Sequence, residues 1–295
     1  MFGDRAVHPH FLGIGAQRAG TTWLHANLSS HPEIWMPRIK EIHYFDRKYP
    51  VSISSWTLHT RDNREMLQRR MKRLNVKKLL DRIKSPRFSE LLWDYKYYRG
   101  NLTDEWYCSL FAEAGARVSG DITPEYAILE ASSVQKIKSL LPDAKIIFLM
   151  RNPIERAWSH ARKDFTRFQS VNPDEISRSD YISHFNSPGS LLRGDYLRTI
   201  DIWSRHYGEG QFLVRFYDEI ESDPVNLLTD VCRFLQVGPP TAQMKEIAER
   251  KINAAKEFEI PAEYRSVLFE IYGKQIALLS EKYCSYARRW LDEIR

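Results

Sequence analysis

The most informative stretch of this sequence is Gly15-Ala16-Gln17-Arg18-Ala19-Gly20-Thr21-Thr22. It follows the apolar run Phe11-Leu12-Gly13-Ile14, which predicts a strand, and it opens a segment that predicts a helix from Thr21 to about Ser30. The glycine spacing is that of G-x-x-x-x-G-K-[ST], in which backbone N–H groups turn toward a phosphate at a helix N-terminus. Thr21 stands where that motif has lysine. The stretch therefore predicts a phosphate-binding loop that does not perform the usual chemistry on ATP or GTP.

Taken alone, this turn has a second explanation. Glycines between a strand and a helix are also needed where a tight connection adopts positive φ, with no ligand involved. The two threonines at the start of the helix favour a ligand, because their hydroxyls and the open N–H groups form a cluster of donors.

Composition and charge indicate an ordinary globular chain. Its 295 residues are 43% hydrophobic and 28% charged, which suits one α/β domain spanning 1–295. No apolar run approaches the roughly 18 residues of a transmembrane helix. The first strand begins within about ten residues of the start, which leaves no room for a signal peptide and predicts a cytoplasmic protein. The net charge of +6 is too diffuse to indicate nucleic-acid binding. The three cysteines lack the spacing of a zinc site or disulfide framework.

Strands and helices alternate along the chain, as in a parallel sheet flanked by helices. We expect a helical insert at about 61–106, a mobile surface loop at 169–190 and only helices from Ala242 onward. The predicted fold is a single α/β domain with a central parallel sheet, a P-loop-like strand-loop-helix, the helical insert and a helical C-terminus. The remaining predicted strands are 33–36, 117–121, 144–150 and 211–216, and the remaining predicted helices are 131–141, 152–168, 196–207 and 224–235.

Three further segments accompany the loop, in order: Lys40-Glu41-Ile42-His43-Tyr44-Phe45-Asp46, Gly120-Asp121-Ile122-Thr123-Pro124-Glu125-Tyr126 and Arg151-Asn152-Pro153-Ile154-Glu155-Arg156-Ala157-Trp158-Ser159. With the loop they resemble the PAPS-dependent sulfotransferases, above all the heparan-sulfate-type enzymes and their bacterial relatives, over about 10–256. PAPS is 3'-phosphoadenosine 5'-phosphosulfate, and PAP is its desulfated product.

The resemblance implies a role for each of these segments. Glu41 is the expected catalytic base, Arg18 stabilises charge on the departing phosphate, and no metal is required. The residues implied to bind the 5'-phosphosulfate are Gln17, Arg18, Ala19, Gly20, Thr21, Thr22 and Trp23. Those implied to grip the 3'-phosphate are Arg151 and Ser159, and a late segment adds Asn253 and Lys256.

Several of these residues also have a structural explanation. Without the order of the motifs, Glu41 is explained as a solvated loop glutamate in an ion pair with Lys40 or Arg38. His43 is either a second proton donor or a structural histidine that bonds a loop carbonyl. The family usually has lysine where Arg18 stands. Because arginine stays protonated, Arg18 stabilises charge but cannot donate a proton.

The second phosphate segment carries the same ambiguity. Without a ligand, Arg151 would pair with Glu155 and Ser159 would face solvent. Their place at the end of a buried parallel strand favours the functional explanation, because open α/β sheets bind ligands there.

The leading hypothesis is sulfuryl transfer from PAPS to a hydroxyl of a saccharide, glycolipid or small metabolite. The alternatives are a P-loop kinase or NTPase, and a non-catalytic adenine-nucleotide-binding protein. The kinase reading is disfavoured because the strand at 144–150 runs into Arg151 and not into an acidic metal ligand. Ile122 stands where glycan-acting relatives often have lysine, which argues against a polyanionic glycan acceptor.

Overall fold

A parallel sheet of five strands, in the order β2-β3-β1-β4-β5, forms the centre of the protein. The computed structural model describes residues 8–51, 88–168, 175–249, 259–283 and 286–292. All five residues of β1 are buried, and β1 pairs with β3 on one side and β4 on the other. This arrangement confirms the predicted α/β class. The strands are β1 Phe11–Gly15, β2 Ile34–Trp35, β3 Val118–Ile122, β4 Lys145–Met150 and β5 Phe212–Phe216.

Helices cover the sheet and complete the described part of the chain. The first seven are α1 Thr21–Ser29, α2 Phe45–Lys48, α3 Phe88–Arg99, α4 Asp104–Ser109, α5 Ala131–Leu140, α6 Pro153–Lys163 and α7 Arg178–Phe185. The next seven are α8 Pro188–Gly194, α9 Tyr196–His206, α10 Tyr217–Ser222, α11 Pro224–Leu235, α12 Ala242–Glu249, α13 Ala262–Lys282 and α14 Tyr286–Asp292. A π-helical turn, Asp164–Phe168, continues α6. In the described residues, no helix combines the length and the apolar character needed to cross a bilayer.

The sheet brings the two predicted phosphate segments to one edge. β1 and β4 are parallel neighbours, so their carboxyl ends lie side by side. The loop from β1 leads into α1, and the loop from β4 leads into α6. This edge is where open parallel sheets bind ligands.

Ile122 lies in the core and not in a cleft. Its side chain is 1% exposed, and a Cβ added at Gly13 would lie 2.8 Å from its Cγ1. The absence of a side chain at Gly13 lets β1 and β3 pack closely here. That the missing lysine at Ile122 disfavours a polyanionic acceptor stays a prediction.

The prediction of a mobile loop at 169–190 was wrong for 178–185 and 188–190, which are helical. Ser177 and Asp180 form a reciprocal capping box at the start of α7. Ser187 caps α8, and Pro188 occupies its first turn. The serine, aspartate and proline that suggested a loop are helix-start residues.

Two further predictions fall partly outside the described residues. Of the predicted insert, 61–87 is not described, and the remainder contains α3 and α4. The segment with Asn253 and Lys256 also lies outside the described residues. The helical C-terminal region is confirmed by α12, α13 and α14.

Candidate active site

The predicted phosphate loop ends in a helix start with open donors. Gly20 is the N-cap of α1 with φ of 84°, and no side chain among the described residues caps the first turn. A Cβ at Gly20 would collide with Ile220 and lie 3.2 Å from the Tyr217 ring. Thr21, which replaces the motif lysine, is buried at 6% exposure. The first N–H groups of α1 are therefore available to an anion.

Arg18 connects the loop after β1 with the helix after β4. It lies in the left-handed region with φ of 71°, and its Nε donates to Ser159 Oγ at 2.9 Å. Ser159 thus does not merely face solvent, as the structural explanation supposed. The bond brings one predicted residue from each phosphate segment into contact.

Gln17 anchors the same loop from its other side. Its Nε2 donates to Glu125 Oε1 at 3.0 Å, and Glu125 is paired with Arg193 at 3.1 Å. Ala19 is fully buried and Thr22 is exposed. Trp23 is 3% exposed, and its indole N–H donates to the Ala248 carbonyl at 3.2 Å. The Trp23 indole therefore packs in the core between α1 and α12.

A second loop places a carboxylate beside the phosphate loop. Lys40 Nζ lies 3.5 Å from Thr21 Oγ1 and also donates to Glu41 Oε1. Glu41 has φ of 66° and His43 has φ of 55°. Side chains rarely adopt this left-handed backbone, so the loop is held in a strained conformation by its contacts.

His43 joins Glu41 to a buried aspartate. Its Nδ1 lies 2.8 Å from Asp46 Oδ2, and its Nε2 lies 3.6 Å from Glu41 Oε2. Burial lowers the pKa of His43, but Asp46 and Glu41 outweigh that effect and raise the pKa to about 10. His43 is therefore an imidazolium held by two carboxylates. In these described contacts it bonds side chains and not the loop carbonyl that the structural explanation supposed.

The same contacts keep Glu41 ionised. Burial raises the pKa of Glu41, but the hydrogen bond with His43 and the charge of Lys40 outweigh it and lower the pKa to about 2. Nearby, burial and the charge of Lys40 lower the pKa of His25 to about 4. At neutral pH the site therefore presents a charged carboxylate between two cations, with a neutral imidazole beside Lys40.

The second phosphate segment is built on an ordinary helix start. Asn152 caps α6 by accepting from Ile154 N at 3.0 Å. Arg151 Nε donates to Glu155 Oε2 at 2.9 Å, which is the pairing that the structural explanation predicted. The Arg151 guanidinium also lies 4.4 Å from the centre of the Tyr217 ring.

Sequence reasoning missed Tyr217, Asp46 and His25 as members of this site, and it placed Lys40 beside Glu41 without the contact to Thr21. Tyr217 follows β5, and it contacts Arg151 and lies against Gly20, so it stands between the two segments. Its only sequence signal is its position directly after a parallel strand. Asp46 was recognisable from its i, i+3 spacing to His43, whereas Lys40 and His25 come together only through the fold.

Comparison with known proteins agrees with this geometry. A model described as the sulfotransferase family matches residues 9–239, well over half of the chain. The chain belongs to the sulfotransferase family. It is thus a transferase, and the resemblance stated from the sequence motifs is confirmed.

Among curated relatives, the sulfotransferase is 27% identical over 151 residues to mouse heparan sulfate glucosamine 3-O-sulfotransferase 3B1. That match covers 48% of this chain and 37% of the relative. It is 23% identical over 248 residues to human bifunctional heparan sulfate N-deacetylase/N-sulfotransferase 2, covering 78% of this chain and 22% of the relative. The chain thus spans well under half the length of these relatives.

Solved structures show the same fold. The sulfotransferase from Alicyclobacillus acidocaldarius matches with a TM-score of 0.60 and 21% identity, over 96% of this chain and 98% of that one. Mouse sulfotransferase SULT7A1, solved in complex with PAP, matches with a TM-score of 0.51 and 15% identity, over 97% of this chain and 88% of that one.

Proposed function

We propose that this sulfotransferase transfers the sulfuryl group of PAPS to a hydroxyl of an acceptor, with Glu41 as the general base. The observation that carries this proposal is the position of Lys40, which bonds both Thr21 of the phosphate loop and Glu41. It places an ionised carboxylate directly beside the cradle predicted to hold the phosphosulfate. A phosphate-binding protein without catalysis has no need of this arrangement.

The proposed reaction is an in-line displacement. The acceptor hydroxyl gives its proton to the Glu41 carboxylate while its oxygen forms the new bond to sulfur. The bond between sulfur and the bridging oxygen breaks, and the electron pair stays on that oxygen, which leaves as part of PAP. By analogy with phosphoryl transfer, positioning and charge stabilisation supply most of the rate enhancement.

Three cations stabilise the charges that this step moves. Arg18 and Lys40 flank the loop and balance the negative charge on the departing phosphate. His43 remains an imidazolium, because Asp46 and Glu41 hold its pKa at about 10. We assign His43 the role of orienting Glu41, since its Nε2 faces the carboxylate at 3.6 Å.

Lys40 also links donor binding to the strength of the base. A carboxylate with a pKa of about 2 is a poor base at neutral pH, because general bases work best when their pKa lies near the working pH. An incoming phosphosulfate competes with Glu41 for the Lys40 ammonium. Drawing Lys40 toward the donor weakens its bond to Glu41 and so raises the pKa of that carboxyl.

The 3'-phosphate is assigned to Arg151 and Ser159. Arg151 lies just before α6, and Ser159 lies on α6, where it contacts Arg18 of the loop after β1. The Arg151 guanidinium exchanges its bond with Glu155 for the dianionic phosphate, which is the stronger partner. The proposed site for the 5'-phosphosulfate is completed by the loop and helix that contain Gln17, Ala19, Gly20, Thr22 and Trp23. Asn253 and Lys256 remain proposed contacts of the nucleotide.

The acceptor is proposed to be a saccharide, a glycolipid or a small metabolite that carries a hydroxyl. The names of the curated relatives specify heparan sulfate glucosamine, which supports a saccharide among these classes. The proposed cofactor is PAPS alone, without a metal in the transfer step.

Labelled PAPS tests the proposal. The wild type is incubated with separate pools of saccharides, glycolipids and small hydroxyl compounds, and label on acceptor is followed together with PAP release. We expect label in one pool from the wild type and none from Glu41→Gln. A parallel incubation with γ-labelled ATP should transfer nothing. Label from ATP but not from PAPS contradicts the proposal and favours a kinase.

A further inference from the structure

A histidine and carboxylate cluster lies on α6 and α7, apart from Glu41 and the phosphate loop. His160 is the last-turn residue of α6, Asp164 follows at i+4 where the π-helical turn begins, and His184 is in the last turn of α7. Both imidazole rings direct Nε2 to one oxygen, Asp164 Oδ2, at 3.2 Å for His160 and 3.0 Å for His184. The three atoms come from two helices that are separate in sequence.

The spacing of these atoms suits a small metal ion. All three ligand atoms lie within 4.8 Å of one another. In a tetrahedral zinc site with bonds of about 2.0–2.2 Å, neighbouring ligand atoms are about 3.3 Å apart. The two distances to Asp164 Oδ2, 3.2 and 3.0 Å, are close to that value. Two imidazoles and one carboxylate are also a known zinc donor set, with water as the fourth ligand.

The three side chains are buried to different degrees. The His160 side chain is 8% exposed, that of His184 is 12% and that of Asp164 is 17%. The carboxylate thus retains a route to solvent, through which an ion and a bound water can enter.

Packing fixes the two rings in this orientation. The ring centres of His160 and His184 are 4.9 Å apart at 72°, and Phe165 lies 5.6 Å from His184. Nδ1 of each histidine is buried, and within the described part of the chain it has no hydrogen-bond partner. Nε2 is therefore the nitrogen that each ring engages, and both rings converge on the carboxylate.

The surrounding charges limit the affinity without excluding a cation. Arg156, Arg193 and Lys163 all contribute a positive field at His160. Arg193 is neutralised by its ion pair with Glu125 at 3.1 Å. Asp164 supplies a negative charge inside the cluster itself, where it is closest to the ion.

We infer that His160, Asp164 and His184 form a binding site for a divalent transition-metal ion of the zinc type, which joins α6 to α7. Zinc suits it because this ion accepts mixed nitrogen and oxygen ligands in tetrahedral geometry. The bound ion replaces the two hydrogen bonds to Asp164 with coordination bonds and fastens the helix that carries Ser159 to its neighbour. The site is structural and takes no part in the proposed transfer step.

Metal titration of the untagged, chelator-treated wild type tests this inference. Added Zn²⁺ should bind in a one-to-one ratio by calorimetry and raise the thermal midpoint, because a ligand that binds only the folded state stabilises it. Added Co²⁺ should produce the visible absorption of a four-coordinate site, and Zn²⁺ should remove it. The absence of saturable one-to-one binding overturns the inference.

Three variants separate this site from adventitious binding. Asp164→Asn keeps the shape and the hydrogen bonds but loses the anionic ligand, and His184→Ala removes a nitrogen ligand. Each should weaken Zn²⁺ binding at least about 100-fold, since even residues that only support a ligand change affinity by about 10–100-fold. His206→Ala, at the end of α9, is the matched histidine control and should bind as the wild type does. Weakening of less than about tenfold in Asp164→Asn overturns the inference, even if His184→Ala fails to fold.

Discussion

The two phosphate segments lie at one edge of the sheet but are built differently. The segments around Arg18 and Glu41 contain three of the four non-glycine residues with positive φ in the described chain, the third being His43. Arg18 bonds Ser159 of α6, and Lys40 bonds Thr21 of α1. The segment after β4 has a side-chain cap at Asn152 and an i, i+4 ion pair from Arg151, as many surface helices do. Strained backbone and charged contacts between separate segments are thus concentrated around Arg18 and Glu41.

This difference suggests a division of labour. Strained backbone persists where the surroundings hold it, and such positions cluster at functional sites. A regular helix start preceded by an arginine is well suited to recognising a phosphate, because open N–H groups and a guanidinium both favour an anion. We therefore expect substitutions at Arg18 and Glu41 to change the transfer rate. Substitutions at Arg151 should change nucleotide affinity.

The largest expected effect follows from Glu41→Gln. General base catalysis contributes about 10²–10⁴-fold to rate, so transfer from PAPS should fall by at least about 100-fold. The amide keeps the shape of the side chain and leaves Lys40 free to bind phosphate, so PAP binding measured by calorimetry should persist and should not weaken. Unchanged transfer would show that Glu41 is not the base. A loss of PAP binding as large as the loss of transfer would show that Glu41 acts in nucleotide binding.

Arg18 is expected to come next. Removing a group that stabilises charge in a transition state costs about 10²–10³-fold in rate, and Arg18→Ala should fall at the lower end because Lys40 remains nearby. Arg18→Lys keeps the positive charge and should retain most of the rate. The two variants are compared by initial rates at saturating PAPS. If Arg18→Lys is as slow as Arg18→Ala, geometry and not charge is what Arg18 provides.

Arg151→Ala should act on binding. A hydrogen bond to a charged group is worth about 1.5–3 kcal/mol, so the Kd for PAP should rise by about 10–100-fold. The Kd for adenosine 5'-phosphosulfate, which lacks the 3'-phosphate, should be nearly the same as in the wild type. Equal weakening of both ligands would show that Arg151 supports the fold or the 5' end, and the division proposed above would then fail.

The smallest expected effect is on stability against pH. The pKa of His43 is raised to about 10 from a reference of 6.5, so its stabilisation is complete below pH 6.5 and is lost as the pH rises through about 10. The pKa of Glu41 is lowered to about 2 from 4.5, so its stabilisation is complete above pH 4.5 and is lost as the pH falls through about 2. Thermal midpoints between pH 6.5 and 10 should therefore decline more steeply for the wild type than for His43→Gln. Parallel curves for the two proteins would show that His43 is not held as an imidazolium.

The same contrast explains which features could be predicted from sequence. The phosphate loop and its flanking strand and helix depend on neighbouring residues, so glycine spacing and apolar runs were sufficient. The contacts of Tyr217 with Arg151 and of Lys40 with Thr21 join distant parts of the chain, which no local pattern records. The prediction of a loop was wrong for 178–185 and 188–190 because Ser177 and Pro188 belong to residue types that serve both loops and helix starts.

The central claim is that the two phosphate segments hold one PAPS molecule. Its most direct test is the thermal midpoint of the wild type with PAP or ATP in the absence of magnesium. At 100 times its Kd, PAP should stabilise the protein by about 2.7 kcal/mol and raise the midpoint clearly. ATP at the same concentration should raise it far less, because it lacks the 3'-phosphate that Arg151 and Ser159 are proposed to bind. Equal stabilisation by the two nucleotides would contradict the account.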